Sequence, residues 1–171
     1  MTTWDSYYYD MCNTVASNSK CMSRKIGAVL VRDKTIIGTG YNGPPRNHYH
    51  CDIRHFYDKK LEAALPLNYL KSRLQECPRR LLGYKSGEGL NYCTAGHAER
   101  NAIVNSARMG IATKDCTLYM SCSIPCKDCM IEIINAGISE IVCVSDNLYD
   151  ELSKHLLDTS GIKFRIYEHL K

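Results

Sequence analysis

The sequence has no apolar run approaching the roughly 20 residues of a membrane span, so no spanning helix is expected. Its start, Met-Thr-Thr-Trp-Asp-Ser-Tyr, has neither the basic residues nor the apolar stretch of a secretion signal. Internal repeats and low-complexity segments are also missing. The address expected from these absences is cytoplasmic. A basic stripe is lacking too. The 22 Lys and Arg leave a net charge of +4, but they are scattered, with Arg79-Arg80 the tightest pair. That distribution gives no reason to expect nucleic acid. A phosphate-bearing small molecule would need only a few of these cations.

What is present suits a soluble globular protein. With 171 residues, 44 % hydrophobic and 23 % charged, the chain fits one domain around a single core. Ten cysteines are many for this length. In a reducing compartment they point to metal ligands or buried thiols in preference to disulfides. Cys12, Cys116 and Cys143 lie within apolar stretches and are expected in the core.

Trp4, Tyr8, Met11 and Val15 recur at helical spacing. Ile26 to Val31 and Thr35 to Tyr41 are β-rich runs joined at Asp33-Lys34, which reads as a hairpin. Residues 42–60 are expected to form an irregular loop, Leu67 to Leu82 to be partly helical, and Ser86 to Gly96 to be a glycine-rich segment. Beyond it the pattern alternates regularly. Helices are expected at Ala98 to Met109, Cys126 to Ala136 and Tyr149 to Ser160, with Gly110, Gly137 and Gly161 as stops. Strands are expected at Thr117 to Ser121, Glu140 to Ser145 and Lys163 to Tyr167. A hairpin followed by alternating helix and strand implies an α/β fold: a three-layer α/β/α sandwich on a mixed central sheet of about five strands.

Three features carry chemistry in order: His97-Ala98-Glu99, Pro125-Cys126 and Cys129. Cys126 and Cys129 are three apart at the start of an expected helix, so both sulfurs share one face, and the positive helix end favours thiolates. His97 opens a helix as well. Three such ligands leave the fourth tetrahedral position open, which is the form of a catalytic zinc site. Zinc with two thiolates and a neutral imidazole is a net-neutral unit, so it acidifies water less strongly than an all-histidine site would. Glu99, two residues past a ligand, is placed to act as general base and then acid without binding the metal. Taken alone, His-x-Glu is usually a solvated helix face and Cys-x-x-Cys a structural half-site or redox pair. The ordered combination is the zinc deaminase signature.

On these residues, together with Lys25-Ile26-Gly27-Ala28-Val29, Gly40-Tyr41-Asn42-Gly43 and His97-Ala98-Glu99-Arg100-Asn101-Ala102-Ile103, the chain resembles the cytidine and deoxycytidylate deaminase superfamily, and within it the dCMP deaminases. The likeness runs from about Tyr8 to Tyr167, with a variable insertion over about 44–92. The Gly-Tyr-Asn-Gly stretch is its discriminating part. The link from Tyr119 to Cys126 is one residue longer than the family's usual spacing. The resemblance implies hydrolysis of dCMP to dUMP and ammonia, supplying dUMP for thymidylate synthesis. His97, Cys126 and Cys129 would hold one catalytic zinc per chain, and Glu99 would move the protons. It places Asn42 near the sugar and base, Arg24 and Lys25 at the 5′-phosphate, and Tyr149 on the pyrimidine. The bland alternatives are a turn for Asn42, an exposed strand edge for Arg24 and Lys25, and packing for Tyr149. It further implies a homo-oligomer, with a hexamer favoured. Activation by dCTP and inhibition by dTTP would follow, with Mg2+ a candidate companion of the triphosphates, in a region near the loop after Asn42 or Arg108.

Cys21, His48, His50, Cys51, His55, Cys77 and Cys93 gather in or beside the insertion. Cys51, Cys77 and Cys93, with Cys21 or a histidine, are candidate ligands of a second, structural zinc of the kind some relatives hold, while buried metal-free thiols are the alternative. Two other functions compete. A polynucleotide base deaminase acting on tRNA or single-stranded DNA needs a basic, aromatic-lined channel, and the twelve tyrosines have no basic stripe beside them. A non-enzymatic zinc module or regulatory subunit leaves Glu99 without a task.

Overall fold

Residues 3–167 are described, from a computed structural model. In chain order the elements are α1 (Trp4–Ser17), β1 (Gly27–Arg32), β2 (Thr35–Tyr41), α2 (Lys59–Ala64), α3 (Pro78–Leu81), α4 (Ala98–Arg108), β3 (Thr117–Met120), α5 (Lys127–Asn135), β4 (Glu140–Cys143), α6 (Glu151–Ser160) and β5 (Lys163–Ile166). The described residues divide into two compact units, one of residues 3–19, 26–41 and 97–167, the other of 20–25 and 42–96. No helix among the described residues is long and apolar enough to cross a membrane.

The first unit is built on one sheet in the order β2-β1-β3-β4-β5. β1 pairs antiparallel with β2 and β3, while β3–β4 and β4–β5 are parallel. Side chains alternate across each strand, and here both faces are buried. Ala28, Leu30, Leu118, Met120, Ile141 and Cys143 point to one face, where Ala98, Ala102, Met130, Ile133 and Leu157 of α4, α5 and α6 cover them. Val29, Val31, Tyr119 and Val142 point to the other, under Tyr8, Cys12 and Val15 of α1. The expected three-layer α/β/α sandwich with five mixed strands is what the chain forms. Cys12, Cys116 and Cys143 are fully buried in it, and burial pushes the Cys12 thiol up to about 12.

Local chemistry sets the boundaries. Asp33 and Lys34 take φ of 50° and 61°, the doubly left-handed turn that matches strand twist in a two-residue hairpin. Gly40 in β2 lies directly under α4: a Cβ there would sit 2.2 Å from both the Ala98 carbonyl oxygen and the Ala102 nitrogen. Asn101 and Asn105 of α4 donate to the carbonyls of Tyr41 and Thr39, at 2.8 and 2.9 Å. The start of α4, which carries His97 and Glu99, is thereby seated on the sheet.

The second unit has little regular structure. Besides α2 and α3 it contains single 3-10 turns at Arg54–Phe56, Leu67–Tyr69 and Leu90–Tyr92. Helix α2 begins inside the stretch expected to be loop, because Asp58 accepts from the amides of Lys60 and Leu61, both at 3.1 Å. It stops before Pro66, which disfavours helix at Leu65. A small core of Leu61, Leu65 and Leu74 forms with Tyr69, Leu70 and Tyr92. Buried Arg54 cross-links the unit: it donates to Thr94 Oγ1 (3.1 Å) and the Tyr92 carbonyl and pairs with Asp58 (3.3 Å). Gly43 and Gly96 exchange two backbone hydrogen bonds at 3.1 and 2.8 Å, closing the segment's ends.

Candidate active site

His97 is the N-cap of α4 and Cys126 the N-cap of α5, and Cys129 lies one turn into α5. The two helices follow β2 and β3 on the same face of the sheet, so their N-terminal ends lie side by side. His97 Nδ1 sits 3.4 Å from Cys126 Sγ and 3.2 Å from Cys129 Sγ. The ligand atoms of this trio all lie within 4.8 Å of one another, the one such group of His, Cys, Asp and Glu among the described residues. Nδ1 is thus the ring nitrogen offered to a metal.

The charges fit a divalent cation. The Cys126 thiol is lowered to about 4, first because the Cys129 thiol donates to it and then through His97. The same bond, with burial, raises Cys129. One negative charge is therefore comfortable between the sulfurs and a second is not, unless a cation stands among them. His97 is raised mainly by its bond to Cys126. Glu99 is 5 % exposed and packs beside the Cys129 thiol without joining the trio. Burial raises its carboxyl, opposed by its own backbone amide and by His97.

Two groups that sequence reasoning passed over hold this arrangement. Asp150 caps α6 by accepting from Ser153 N at 2.6 Å, and its other oxygen accepts from Lys127 N at 2.9 Å, capping the first turn of α5. Ser153, fully buried, donates its hydroxyl to the Pro125 carbonyl at 2.5 Å. The chain on both sides of Cys126 is thus tied to the start of α6. Arg100 of α4 and Glu132 of α5 form a two-pronged pair at 2.9 and 2.7 Å, linking the two ligand-bearing helices. An acidic residue before a helical run was the only available signal for Asp150. Nothing local marked Ser153.

The remaining expected residues are placed as follows. Asn42 is buried and donates from Nδ2 to the Arg24 carbonyl at 2.8 Å. The side chains of Arg24 and Lys25 are exposed. Tyr149 is 43 % exposed, in the segment leading to α6. In the second unit, Cys51 and Cys77 are buried and Cys21 and Cys93 half-buried. The Cys51 thiol is pushed up to about 11, chiefly by burial, with smaller contributions from Cys77, Cys93 and Cys21. Buried His55 has no hydrogen bond at either ring nitrogen.

Residues 2–145 match the family described as the cytidine and deoxycytidylate deaminase zinc-binding region. The chain is 32 % identical over 165 residues to a deoxycytidylate deaminase of Schizosaccharomyces pombe, and 34 % over 163 residues to that of Saccharomyces cerevisiae. These alignments cover 96 % and 95 % of the chain but only 44 % of each yeast protein, so the chain spans less than half their length. A deoxycytidylate deaminase of Mycobacterium phage D29 is 32 % identical over 144 residues, covering 81 % of the chain and 92 % of the phage protein. Among solved structures, apo dCMP deaminase from the cyanophage S-TIM5 shares the fold, with a TM-score of 0.63 at 19 % identity over 95 % of both chains. With most of the chain matched to the zinc-binding region and the ligand residues converging in space, the chain belongs to the cytidine and deoxycytidylate deaminase family.

Proposed function

We propose that this chain is a zinc-dependent hydrolytic deaminase converting dCMP to dUMP and ammonia, a cytoplasmic source of dUMP for thymidylate synthesis. The observation that carries the reading is Glu99, a carboxyl buried against the ligand trio but outside it. A purely structural metal site has no use for such a group. His97, Cys126 and Cys129 would hold one zinc, which when bound supplies the Lewis acidity that makes water a usable nucleophile at neutral pH. Glu99 takes the proton from that water and returns protons to ring N3 and to the departing amine. The water oxygen joins C4, the C4–N bond breaks, and nitrogen leaves as ammonia. The substrate assignment is supported by the names of the yeast and phage relatives. Asn42 would hold the sugar and base, Arg24 and Lys25 the 5′-phosphate, and Tyr149 the pyrimidine face.

The experiment is ammonia release from the purified protein offered cytidine, deoxycytidine, dCMP, dCTP and a short single-stranded DNA, each with and without added dCTP or dTTP. Strong preference for dCMP is expected, raised by dCTP and lowered by dTTP, from a homo-oligomer that we take to be a hexamer. Turnover of the DNA alone would keep the mechanism and overturn the substrate. No turnover of any of them would overturn the enzymatic reading. We also propose a second, structural zinc held by Cys51, Cys77 and Cys93 with Cys21 or a nearby histidine. Its support is the burial of Cys51 and Cys77 as free thiols in the second unit and the unbonded ring of buried His55; their ligand atoms do not gather as those of the His97 trio do, so the metal would have to draw them together. Two zinc ions per chain in fully active protein are expected, and one would remove the proposal.

A further inference from the structure

The second unit contains a cavity that the reaction above does not require. Ser23 and Arg24 on one side, and Arg79, Arg80, Tyr84, Lys85 and Ser86 on the other, enclose about 180 Å³. Four of these seven residues are cations, three carry hydroxyls, and no acidic residue lines the space. None of the four cations makes an ion pair among the described residues. Four like charges around one small space repel each other, so their gathering without a counter-charge marks a place for an anion.

The backbone holds the cations where they are. Tyr84 N donates to the Arg79 carbonyl at 2.9 Å, folding the chain back directly after α3. Glu88 then fixes both ends of that loop. Its carboxylate accepts from Lys85 N at 2.9 Å, and its carbonyl accepts from Arg79 Nη1 at 2.5 Å. The Glu88 carboxylate is the nearest acidic group in the loop, and it is engaged with backbone and does not line the cavity. Arg79 Nε is buried and has no acceptor. A buried guanidinium donor left unbonded is costly, and an oxyanion beside it would remove that cost.

Size narrows the ligand further. The volume lies below the roughly 300 Å³ at which pockets for whole small molecules begin. The space suits a phosphoryl group or short phosphate chain better than a whole nucleotide. Forked guanidinium donors, an ammonium and flanking hydroxyls are the set that recognises phosphate oxygens.

We propose that this cavity is a phosphate-binding site built by the insertion together with Ser23 and Arg24, taking the phosphoryl end of a phosphorylated ligand. It extends the role assigned above to Arg24, adds Arg79, Arg80 and Lys85, and excludes Lys25, which does not line the cavity. Its link to dCMP rests on the proposed function, but anion binding itself does not. Two sources share the chemistry: the substrate's own 5′-phosphate, and a separate polyphosphate.

The test is titration of the zinc-loaded protein with inorganic tripolyphosphate by calorimetry, at two salt concentrations, with and without saturating dCMP. Wild-type protein should bind it, more weakly at high salt. The double variant Arg80→Gln/Lys85→Gln should bind at least tenfold more weakly while keeping its zinc content and melting temperature, since both side chains are exposed. Arg79→Lys should retain more affinity than Arg79→Gln. If dCMP competes with tripolyphosphate, and the variants raise KM for dCMP but not for deoxycytidine, the cavity holds the substrate's phosphate. If both bind together, it holds a separate polyphosphate. Absence of tripolyphosphate binding, or equal binding by wild type and the double variant, would overturn the proposal whether or not the protein deaminates dCMP.

Discussion

Replacing Asp150 with alanine tests how the metal ligand Cys126 is held in place. The carboxylate accepts from Ser153 N and Lys127 N, so one substitution uncaps two helices. Loss of an N-cap costs about 1 kcal/mol, and the second amide interaction is of similar size, giving a total near 2 kcal/mol. For a chain of this length, each kcal/mol lowers Tm by roughly 2–4 °C, so a fall of about 4–8 °C is expected. The more telling effect is on the metal. Loss of groups that orient ligands typically weakens metal affinity about 10–100-fold. The assay is thermal unfolding of zinc-loaded and chelator-treated protein, with zinc affinity measured by competition against a chromogenic chelator. The Tm loss should be larger in the zinc-loaded protein, because the variant also loses part of the stabilisation that zinc binding supplies. Ser153→Ala, which frees the Pro125 carbonyl, should weaken zinc in the same direction. Equal Tm losses with and without zinc, together with unchanged affinity, would show that Asp150 merely caps α6 and would refute the positioning argument.

Other outcomes follow from the same geometry. Glu99→Gln should lower kcat by at least about 10²-fold while zinc stays bound, read by ammonia release and metal content; retained activity would refute its role as proton carrier. Gly40→Ala should destabilise the protein by about 1–3 kcal/mol, since its Cβ would meet α4 backbone at 2.2 Å, and an unchanged Tm would mean that α4 can shift freely. Arg165 bonds to Asp5, Glu140 and Tyr119, and its guanidinium holds the Asp5 carboxyl below its ordinary value of 3.8. A group whose folded pKa is lowered contributes stability above its unfolded pKa and loses it as pH falls through the folded one. The stability gap between wild type and Arg165→Met should therefore be constant above about pH 5, at no more than about 1 kcal/mol because the Arg165 side chain is over a third exposed, and shrink below pH 4. A gap independent of pH down to 2 would refute the assignment to Asp5.

The parts of the fold that could be read in advance are those where neighbours in sequence decide the outcome. The alternation through Ala28–Val31, Leu118–Met120 and Ile141–Cys143 shows strands buried on both faces, and Asp33-Lys34 marks the hairpin. The ligand spacing is likewise local: His97 and Glu99 are two apart, Cys126 and Cys129 three. The sequence conceals partners brought together from afar. Asp150 meets Lys127 across 23 positions, Ser153 meets Pro125 across 28, and Arg100 meets Glu132 across 32. The second unit is hard to read for another reason. Its helices are one or two turns long, too short for hydrophobic periodicity to register, and its order depends on single contacts such as those of Arg54.

One local signal was nevertheless available and points at the site itself. Helices α1, α2 and α6 begin with Thr3, Asp58 and Asp150, each accepting a first-turn amide. Helices α4 and α5 begin instead with His97 and Cys126, whose side chains offer no oxygen acceptor to the amides above them. Each forgoes roughly 1 kcal/mol of capping. Short α3 also lacks a side-chain cap, at Cys77, but it opens with Pro78, which has no N–H to satisfy. The longer α4 and α5 give up local stability for some other benefit. His97 and Cys126 stand at the start of the two helices whose first turns supply the trio, where the open N-terminal field favours thiolates and a buried carboxylate. For α5 the lost cap is partly made good from outside, by Asp150, leaving Cys126 Sγ free to face a metal.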